Sequence, residues 1–225
     1  MNIDPIAYIQ TPFTDKFGIP KQPNLAPSVE GIIVIEKAFS KEEAFKDLDK
    51  FSHLTLIFGF HKTKSWDFLV RPPRLGGNKK VGVFTTRSPF RPNNLGISHV
   101  EILKVDLGNP IKIHVKGIDL LDQTPIYDIK PYIPRWDSFP NATMGWIEED
   151  EPLLAVNFET EALEFFKKFP HRSHLKQMIT EILSQDPRPA YKKGDFNQEH
   201  FSQLEDIEIN WKVTPSGVQV TKITK

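Results

Sequence analysis

The sequence predicts a mainly β protein with an α+β appendage: a small antiparallel β-barrel, not a Rossmann sheet, followed by a smaller C-terminal α+β domain. Short apolar runs rich in Ile and Val recur through the first 139 of the 225 residues, as expected for antiparallel strands. Apolar residues at helical spacing follow after residue 160. No Gly-rich dinucleotide or Walker fingerprint occurs. We therefore expect one domain at 1–139 and another at 140–225.

The first domain is expected to contain several strands and one early helix. Ser40 and Glu43 have the spacing of a capping box, and the apolar residues from Ala44 to Phe51 then fall on one helical face. Apolar and polar residues alternate over 111–116, which indicates a half-buried strand. The strands are predicted at 31–36, 54–60, 81–85, 97–105 and 111–116. Together they favour a small barrel or sandwich.

The second domain is expected to begin with a strand at 153–158. Two helices follow, the first carrying apolar residues over 162–169 and the second over 173–183. The prolines of Asp186–Tyr191 end the second helix, because proline lacks the backbone donor that a helix needs. A terminal hairpin is predicted, with alternating strands on either side of the turn Pro215–Gly217.

Composition excludes several classes of protein. The chain has no cysteine, which rules out disulfides, thiol nucleophiles and thiolate zinc sites. Its first residues lack the basic start and apolar core of a signal peptide. No apolar run approaches the length of a membrane span. These features predict a soluble, cytoplasmic protein without a membrane partner.

Charge is balanced overall, with 29 basic and 29 acidic residues, but it is concentrated locally. Between His61 and Arg91, eight Lys and Arg side chains are opposed only by Asp67, a surplus of seven positive charges. Such a segment favours an anionic partner. Four aromatic residues interleave with these cations: Trp66, Phe68, Phe84 and Phe90. Phe68 and Phe84 lie in apolar runs and are expected in the core. Trp66 and Phe90 stay open between core packing and base stacking.

The segment 85–96 is the strongest candidate for a binding loop. Pro89 and Pro92 forbid a helix there, so a stiff loop presents the guanidiniums of Arg87 and Arg91. Guanidiniums suit carboxylates and phosphates. The alternative is a solvated turn whose arginines cap nearby carbonyls.

Metal chemistry is not favoured. His171 and His174 are separated as two metal ligands could be, but a surface pair is the preferred interpretation because no third ligand is evident. Asp119, Asp122 and Asp128 could hold magnesium, although the first two are more typical of a turn in which Asp binds local N–H groups. Asp128 differs, because it lies with Lys130 in a proline-stiffened strand end suited to a zwitterionic or purine ligand.

Several of these motifs together resemble the TrmO/TsaA-like family of tRNA methyltransferases. The most specific are Phe84–Asn93, Gly117–Asp122 and Asp128–Pro134. Four further segments match as well: the opening at 11–23, Phe51–Leu54, Phe60–His61 and the C-terminal Asp186–Tyr191. One departure is Asn94-Leu95, where Pro-Ile is expected in relatives.

The resemblance implies an S-adenosylmethionine-dependent enzyme built on a β-barrel. It implies methylation of the exocyclic amine of threonylcarbamoyl-adenosine, 3′ of the anticodon in threonine tRNA, by a homodimer with the cofactor near the subunit interface. The implied cofactor contacts are Pro20, Lys21, Gln22, His61, Lys62, Arg87, Ile97, Tyr127, Asp128, Ile129 and Lys130. Arg87 and Asp128 offer the groups that the cofactor's carboxylate and ammonium need. No general base is identified.

The remaining basic residues are assigned to tRNA, and no DNA partner is expected. Arg71, Arg74 and Arg91 would meet phosphates or the acidic threonyl group, while Arg188 would add a contact and Tyr191 would stack. Arg188 could instead tie the second helix to the hairpin. Two other functions stay open: a methyltransferase of another RNA or a small molecule, and a non-catalytic RNA-binding module.

Overall fold

The structure, a computed structural model, describes residues 3–15, 18–147, 152–189 and 192–225. Its N-terminal part is a closed antiparallel barrel, so the predicted mainly β architecture is confirmed. The strands of this part are β1 (Ala7–Gln10), β2 (Glu30–Ile35), β3 (His53–Gly59), β4 (Leu69–Val70), β5 (Val81–Gly82), β6 (Leu95–Asp106), β7 (Lys112–Lys116) and β8 (Thr124–Pro131). The barrel order is β1-β2-β7-β6-β3-β8, while β4 and β5 form a separate ribbon.

Alternating side chains fill the barrel. Ile33 and Ile35 on β2 are buried opposite Ile113 on β7 and Ala7 on β1, while the intervening residues face outward, as the period of a strand requires. Closure leaves no unpaired strand edge among the six strands. The loops at one end of the barrel are therefore held on a rigid frame, which is where the candidate site lies.

The C-terminal part is a four-stranded sheet with two helices. After the short helix α1 (Pro134–Asp137), its elements are β9 (Val156–Phe158), α2 (Thr160–Lys168), α3 (His174–Ser184), β10 (Glu199–Leu204), β11 (Ile207–Thr214) and β12 (Gly217–Thr224). The sheet order is β10-β11-β12-β9, with β9 parallel to β12. The predicted helices and terminal hairpin are both present.

The two parts share one hydrophobic core, and α3 supports the loop before β2. Glu181 on α3 accepts hydrogen bonds from the backbone N and Oγ of Ser28 at 2.9 and 2.7 Å. Gln185 donates through Nε2 to the backbone oxygen of Leu25 at 3.2 Å. These contacts hold the segment 18–28, which contributes to the candidate site, against the C-terminal part.

The predicted helix at 40–51 is wrong. Only short 3₁₀ turns occur, at Glu42–Phe45 and Leu48–Lys50. Asp47 between them has φ 64°, which no continuing α-helix accepts. The Ser40 hydroxyl accepts a hydrogen bond from the backbone N of Ile111 at 2.8 Å instead of capping a helix. A tertiary contact has replaced the local one.

Strand boundaries also differ from the expectation. The predicted strand at 81–85 is only two residues long and continues as a 3₁₀ turn at Val83–Thr85. The predicted strand at 153–158 begins at Val156, and β1 and β10 were not anticipated. Within the described residues, no helix is long and apolar enough to cross a membrane.

Candidate functional site

A cavity of about 920 Å³ opens at the end of the barrel where β3 ends and β6 begins. Four loop segments surround it: 19–22, 60–65, 86–91 and 119–124. This volume is within the range that holds small organic ligands and cofactors. Seven of the eleven predicted cofactor contacts line it: Pro20, Lys21, Gln22, His61, Lys62, Arg87 and Ile97.

The floor of the cavity is apolar and includes Gly96 and the aromatic ring of Phe58. Gly96 on β6 pairs with Phe58 on β3, and a Cβ at Gly96 would lie 2.3 Å from the Phe58 ring. Phe58 also packs edge-on against Phe60, with ring centroids 5.0 Å apart. Ile97 follows Gly96 and is half exposed in the cavity. These flat apolar surfaces suit a purine ring.

Internal hydrogen bonds fix the loop 85–94. The hydroxyls of Thr85 and Thr86 donate to the backbone oxygens of Gly82 and Val83, each at 2.8 Å. Arg91 donates through Nη1 to the backbone oxygens of Val83 and Thr86 at 3.1 and 2.8 Å. The Arg91 guanidinium therefore braces the loop while lining the cavity, and its predicted contact with tRNA stays a prediction.

Arg87 joins two parts of the predicted site. Its Nη1 donates to Gln22 Oε1 at 2.6 Å, across 65 residues of sequence. Both residues also line a second cavity of about 520 Å³, next to His53 and His99. Burial and the charge of Arg87 lower the pKa of His99, while Asp137 opposes the shift. Arg87 thus stands between the two cavities.

Asp119 is a cavity residue that the sequence interpretation assigned to a turn. Its Oδ1 accepts a hydrogen bond from the buried Ser98 hydroxyl at 2.6 Å. Burial raises the pKa of Asp119 to about 6, although Ser98, the backbone N–H of Asp119 and the charge of Arg87 each favour the ionised form. The pKa of His61, in the same cavity, is lowered by burial and by Lys62. A carboxyl group that titrates near neutrality is therefore present.

Residues 127–130 lie on β8 beside β3, with Asp128 paired to Ile57. None of these four predicted cofactor contacts is among the described residues that line the large cavity. Asp128 forms an ion pair with Lys130 at 2.9 Å, and the Tyr127 ring covers Gly59, where a Cβ would lie 2.8 Å away. Because Ile57 lines the cavity, Asp128 lies one strand away from the lining, and its predicted contact with the cofactor stays a prediction.

The basic segment exposes aromatic rings, contrary to one expectation. Phe68 and Phe84, predicted in the core, are 72% and 71% exposed. The rings of Trp66 and Phe68 pack edge to face with their centroids 4.6 Å apart. The Arg91 guanidinium lies 5.4 Å from the centre of the Phe84 ring. Their apolar neighbours in sequence belong to strands too short to bury them.

Arg188 is not available for the predicted tRNA contact. It is 5% exposed and binds Asp186 through Nε and Nη2 at 2.8 and 2.9 Å. It also donates to the backbone oxygens of Asp195 and Lys193. The alternative interpretation, a structural tie, fits this geometry. Tyr191 lies outside the described residues. Within the described ranges, no cluster of acidic and histidine side chains could hold a metal.

Comparison with known proteins identifies the family. The model of the tRNA-methyltransferase O N-terminal domain matches residues 8–138, and that of the TrmO C-terminal domain matches residues 151–225. An Escherichia coli protein named tRNA (adenine(37)-N6)-methyltransferase is 39% identical, covering 96% of this chain and 94% of that protein.

Solved structures agree with this assignment. A crystal structure of TrmO superposes with a TM-score of 0.83 at 31% identity, covering all of this chain and 99% of the other. A crystal structure of TrmO from Pseudomonas aeruginosa gives a TM-score of 0.82 at 30% identity, with coverage of 100% and 98%. The chain belongs to the tRNA-methyltransferase O family of S-adenosylmethionine-dependent tRNA methyltransferases.

Proposed function

We propose that the protein methylates the exocyclic amine of threonylcarbamoyl-adenosine, 3′ of the anticodon in threonine tRNA. The observation that carries this proposal is the cavity, which combines an apolar floor at Phe58 and Gly96 with a cationic rim. A flat surface suits the purine, and cations suit the carboxylate of the threonyl group. The substrate nucleoside and the cofactor each carry a purine and a carboxylate. The cavity of about 920 Å³ is large enough for small organic ligands of this kind.

The residues of the cavity fit S-adenosylmethionine. Arg87, held by Gln22, and Lys21 offer donors for its carboxylate, and Ile97 and Phe58 offer apolar contacts for its adenine. Bound there, the cofactor supplies a methyl group on a positively charged sulfur. The chain's contribution is to hold the reacting groups in line, because positioning accounts for much of the rate in such displacements.

The tRNA contacts are proposed on the basic segment. Arg71 is exposed close to Arg74 in the turn that follows β4, and Trp66 and Phe90 of the same basic segment are exposed as well. Cations that bind phosphate and rings that stack on unpaired bases are the usual components of an RNA surface. Such a reaction on tRNA would take place in the cytoplasm.

A homodimer is also proposed. Large apolar side chains are exposed on two segments, including Phe84 on the first and Trp136, Phe139 and Met144 on the second. Trp146 donates to the backbone oxygen of Thr85 at 3.1 Å and so connects these segments. A second copy would bury them in a self-complementary interface. Light scattering at micromolar concentration should give the mass of a dimer, and a fully active monomer would contradict this proposal.

Mass spectrometry of tRNA nucleosides tests the function. Threonine tRNA carrying threonylcarbamoyl-adenosine should gain one methyl group at that nucleoside after incubation with the protein and S-adenosylmethionine. The same tRNA carrying unmodified adenosine is the matched control for the role of the threonyl group. Methylation of the control to the same extent would contradict the proposed substrate. Binding of S-adenosylmethionine without methylation of tRNA would instead favour another acceptor.

A further inference from the structure

One carboxylate faces a cluster of cations in the large cavity. Five cationic side chains contribute to its lining: Lys21, Lys62, Lys64, Arg87 and Arg91. Asp119, between β7 and β8, is the only acidic side chain among the described residues that line it. The cations suit anionic groups of a ligand. A carboxylate does not bind anions, so Asp119 needs a role other than anion binding.

The backbone and Ser98 fix the position of this carboxylate. Gly117 has φ 72°, a conformation that favours glycine, and Ile118 is fully buried in the barrel core. Asp119 follows directly, with its Oδ1 bound to the Ser98 hydroxyl. That hydrogen bond engages Oδ1, one of the two carboxylate oxygens. Asp119 lines the same cavity as Gly96 and Ile97, and the Ser98 hydrogen bond restricts its orientation.

Methylation of an exocyclic purine nitrogen releases a proton. The lone pair of that nitrogen is delocalised into the ring, so forming the new bond makes the N–H strongly acidic. We propose that Asp119 is the general base that accepts this proton, an inference that rests on the proposed function. The N–C bond forms, the C–S bond breaks with its electron pair left on the sulfur, and the proton passes from nitrogen to Asp119 Oδ2.

The titration of Asp119 supports this role. A general base works best when its pKa is near the working pH, and burial brings the pKa of Asp119 to about 6. The titratable and charged groups that share the cavity with it come from three segments: Lys21 before β2, His61, Lys62 and Lys64 after β3, and Arg87 and Arg91 on the loop 85–94. Ser98 on β6 is its hydrogen-bond partner. The ionised carboxylate is the active form. The rate should therefore rise as the pH increases through about 6 and level off above it.

Asp119→Asn is the first test, because it keeps the shape and the acceptor for Ser98 while removing the base. We expect kcat on threonine tRNA to fall by about 100- to 1,000-fold, within the range for losing general-base catalysis. Calorimetry should show an affinity for S-adenosylmethionine within about twofold of the wild type, as direct contact with the cofactor is not its role. Asp122→Asn is the control. Asp122 lies on the same loop, accepts from the backbone N of Thr11 and does not line the cavity.

Ser98→Ala tests the same role through pH. Losing the Ser98 hydrogen bond, which favours the ionised carboxylate, should move the rise of the pH–rate profile to higher pH. Carbon-13 NMR of the carboxyl groups, which needs no activity, should show one aspartate titrating near pH 6 in the wild type and none there in Asp119→Asn.

Three results would overturn the inference. The first is an Asp119→Asn variant with normal kcat. The second is loss of S-adenosylmethionine affinity at unchanged kcat, which would make Asp119 a partner of the cofactor ammonium. The third is an unaltered pH profile in both variants. A wild-type protein that methylates no adenosine in tRNA would contradict the proposed function and this inference with it, whereas an active wild type with a fully active Asp119→Asn would contradict the inference alone.

Discussion

Arg87 owes its position to a partner on another loop. The guanidinium is exposed and bound to Gln22, so this hydrogen bond adds little to the stability of the fold. Its effect is directional, since the bond to Gln22 restricts the orientation of a guanidinium that lines the cavity. A planar guanidinium that is already oriented loses less entropy when it binds a carboxylate.

Arg87→Ala should therefore weaken S-adenosylmethionine binding without unfolding the protein. The loss of a charge-assisted hydrogen bond corresponds to about 1.5–3 kcal/mol. Calorimetry measures the affinity, and a melting curve checks the fold. Lys79→Ala removes an exposed cation of the same basic segment outside the cavity and should bind the cofactor normally. Equal affinity in the two variants would remove Arg87 from the cofactor site.

Single residues were the hardest level to predict from the sequence. Arg87 and Gln22 were both expected at the site, and they do contact each other. Asp119 was interpreted as a turn residue, because nothing in its neighbours shows that β6 would place Ser98 beside it. Arg188 was expected at the surface, yet it donates hydrogen bonds to the backbone oxygens of Lys193 and Asp195. Every residue has a backbone oxygen, so residue types in the sequence do not reveal such a contact.

At the level of elements, the contact between β3 and β6 forms the floor of the site. Phe58 is buried across Gly96, and the ring occupies the space that a side chain would need. The floor stays flat only while residue 96 lacks a Cβ.

Gly96→Ala should lower both stability and cofactor affinity, because its Cβ would force the Phe58 ring to move. Overpacking of this kind costs about 1–3 kcal/mol. Thermal melting and calorimetry measure the two effects. Gly82→Ala is the matched control, since no atom lies within 4 Å of the Cβ it would add. A Gly96→Ala variant with normal melting and normal binding would show that Phe58 can move at no cost.

The turn after α3 depends on Arg188. Removing it would leave Asp186 largely buried without its partner, and breaking such a pair costs about 3–5 kcal/mol. Arg188→Ala should thus lower the melting temperature strongly. Arg172→Ala, which removes a more exposed pair with Asp206, should lower the melting temperature much less, because solvent screens such a pair. Normal melting together with weaker tRNA binding would return Arg188 to the RNA surface.

The pair of Asp186 and Arg188 makes the stability of the fold depend on pH. Burial alone would raise the pKa of Asp186, but the hydrogen bonds and charge of Arg188 outweigh it and lower the pKa below its ordinary value. A group whose pKa is lowered by folding stabilises the fold above its unfolded pKa and loses that contribution as the pH falls through the folded value. Arg188→Ala should lack this part of the acid-dependent loss of stability.

Elements were predicted where their pattern was long. Alternation over 111–116 and helical spacing over 173–183 both correspond to observed elements, because each buries a continuous face. The helix at 40–51 failed since its cap residue Ser40 binds Ile111, far along the chain. Short strands such as β4 and β5 carry too few residues for a pattern to be read.

At the scale of the whole molecule, positive charge is concentrated in one segment although the net charge is zero. The chain is neutral, the barrel and the C-terminal sheet share one core, and four of the eight cations of the basic segment line the cavity at one end of the barrel. Neutrality limits indiscriminate binding to polyanions, while a local surplus still attracts one. The barrel could be inferred from the sequence. The support of the loop before β2 by α3 could not, because it depends on side-chain contacts between segments far apart in the chain.

If the basic segment binds tRNA as proposed, the affinity for tRNA should depend on salt. Each phosphate contact releases a counterion, so the logarithm of the affinity should fall linearly with the logarithm of the salt concentration. Arg71→Ala and Arg74→Ala should each weaken binding and reduce the slope by about one, with S-adenosylmethionine affinity unchanged. Lys46→Ala, an exposed cation outside this segment, should leave the slope unaltered. If all three variants keep the wild-type slope, the phosphate contacts lie on another face of the molecule.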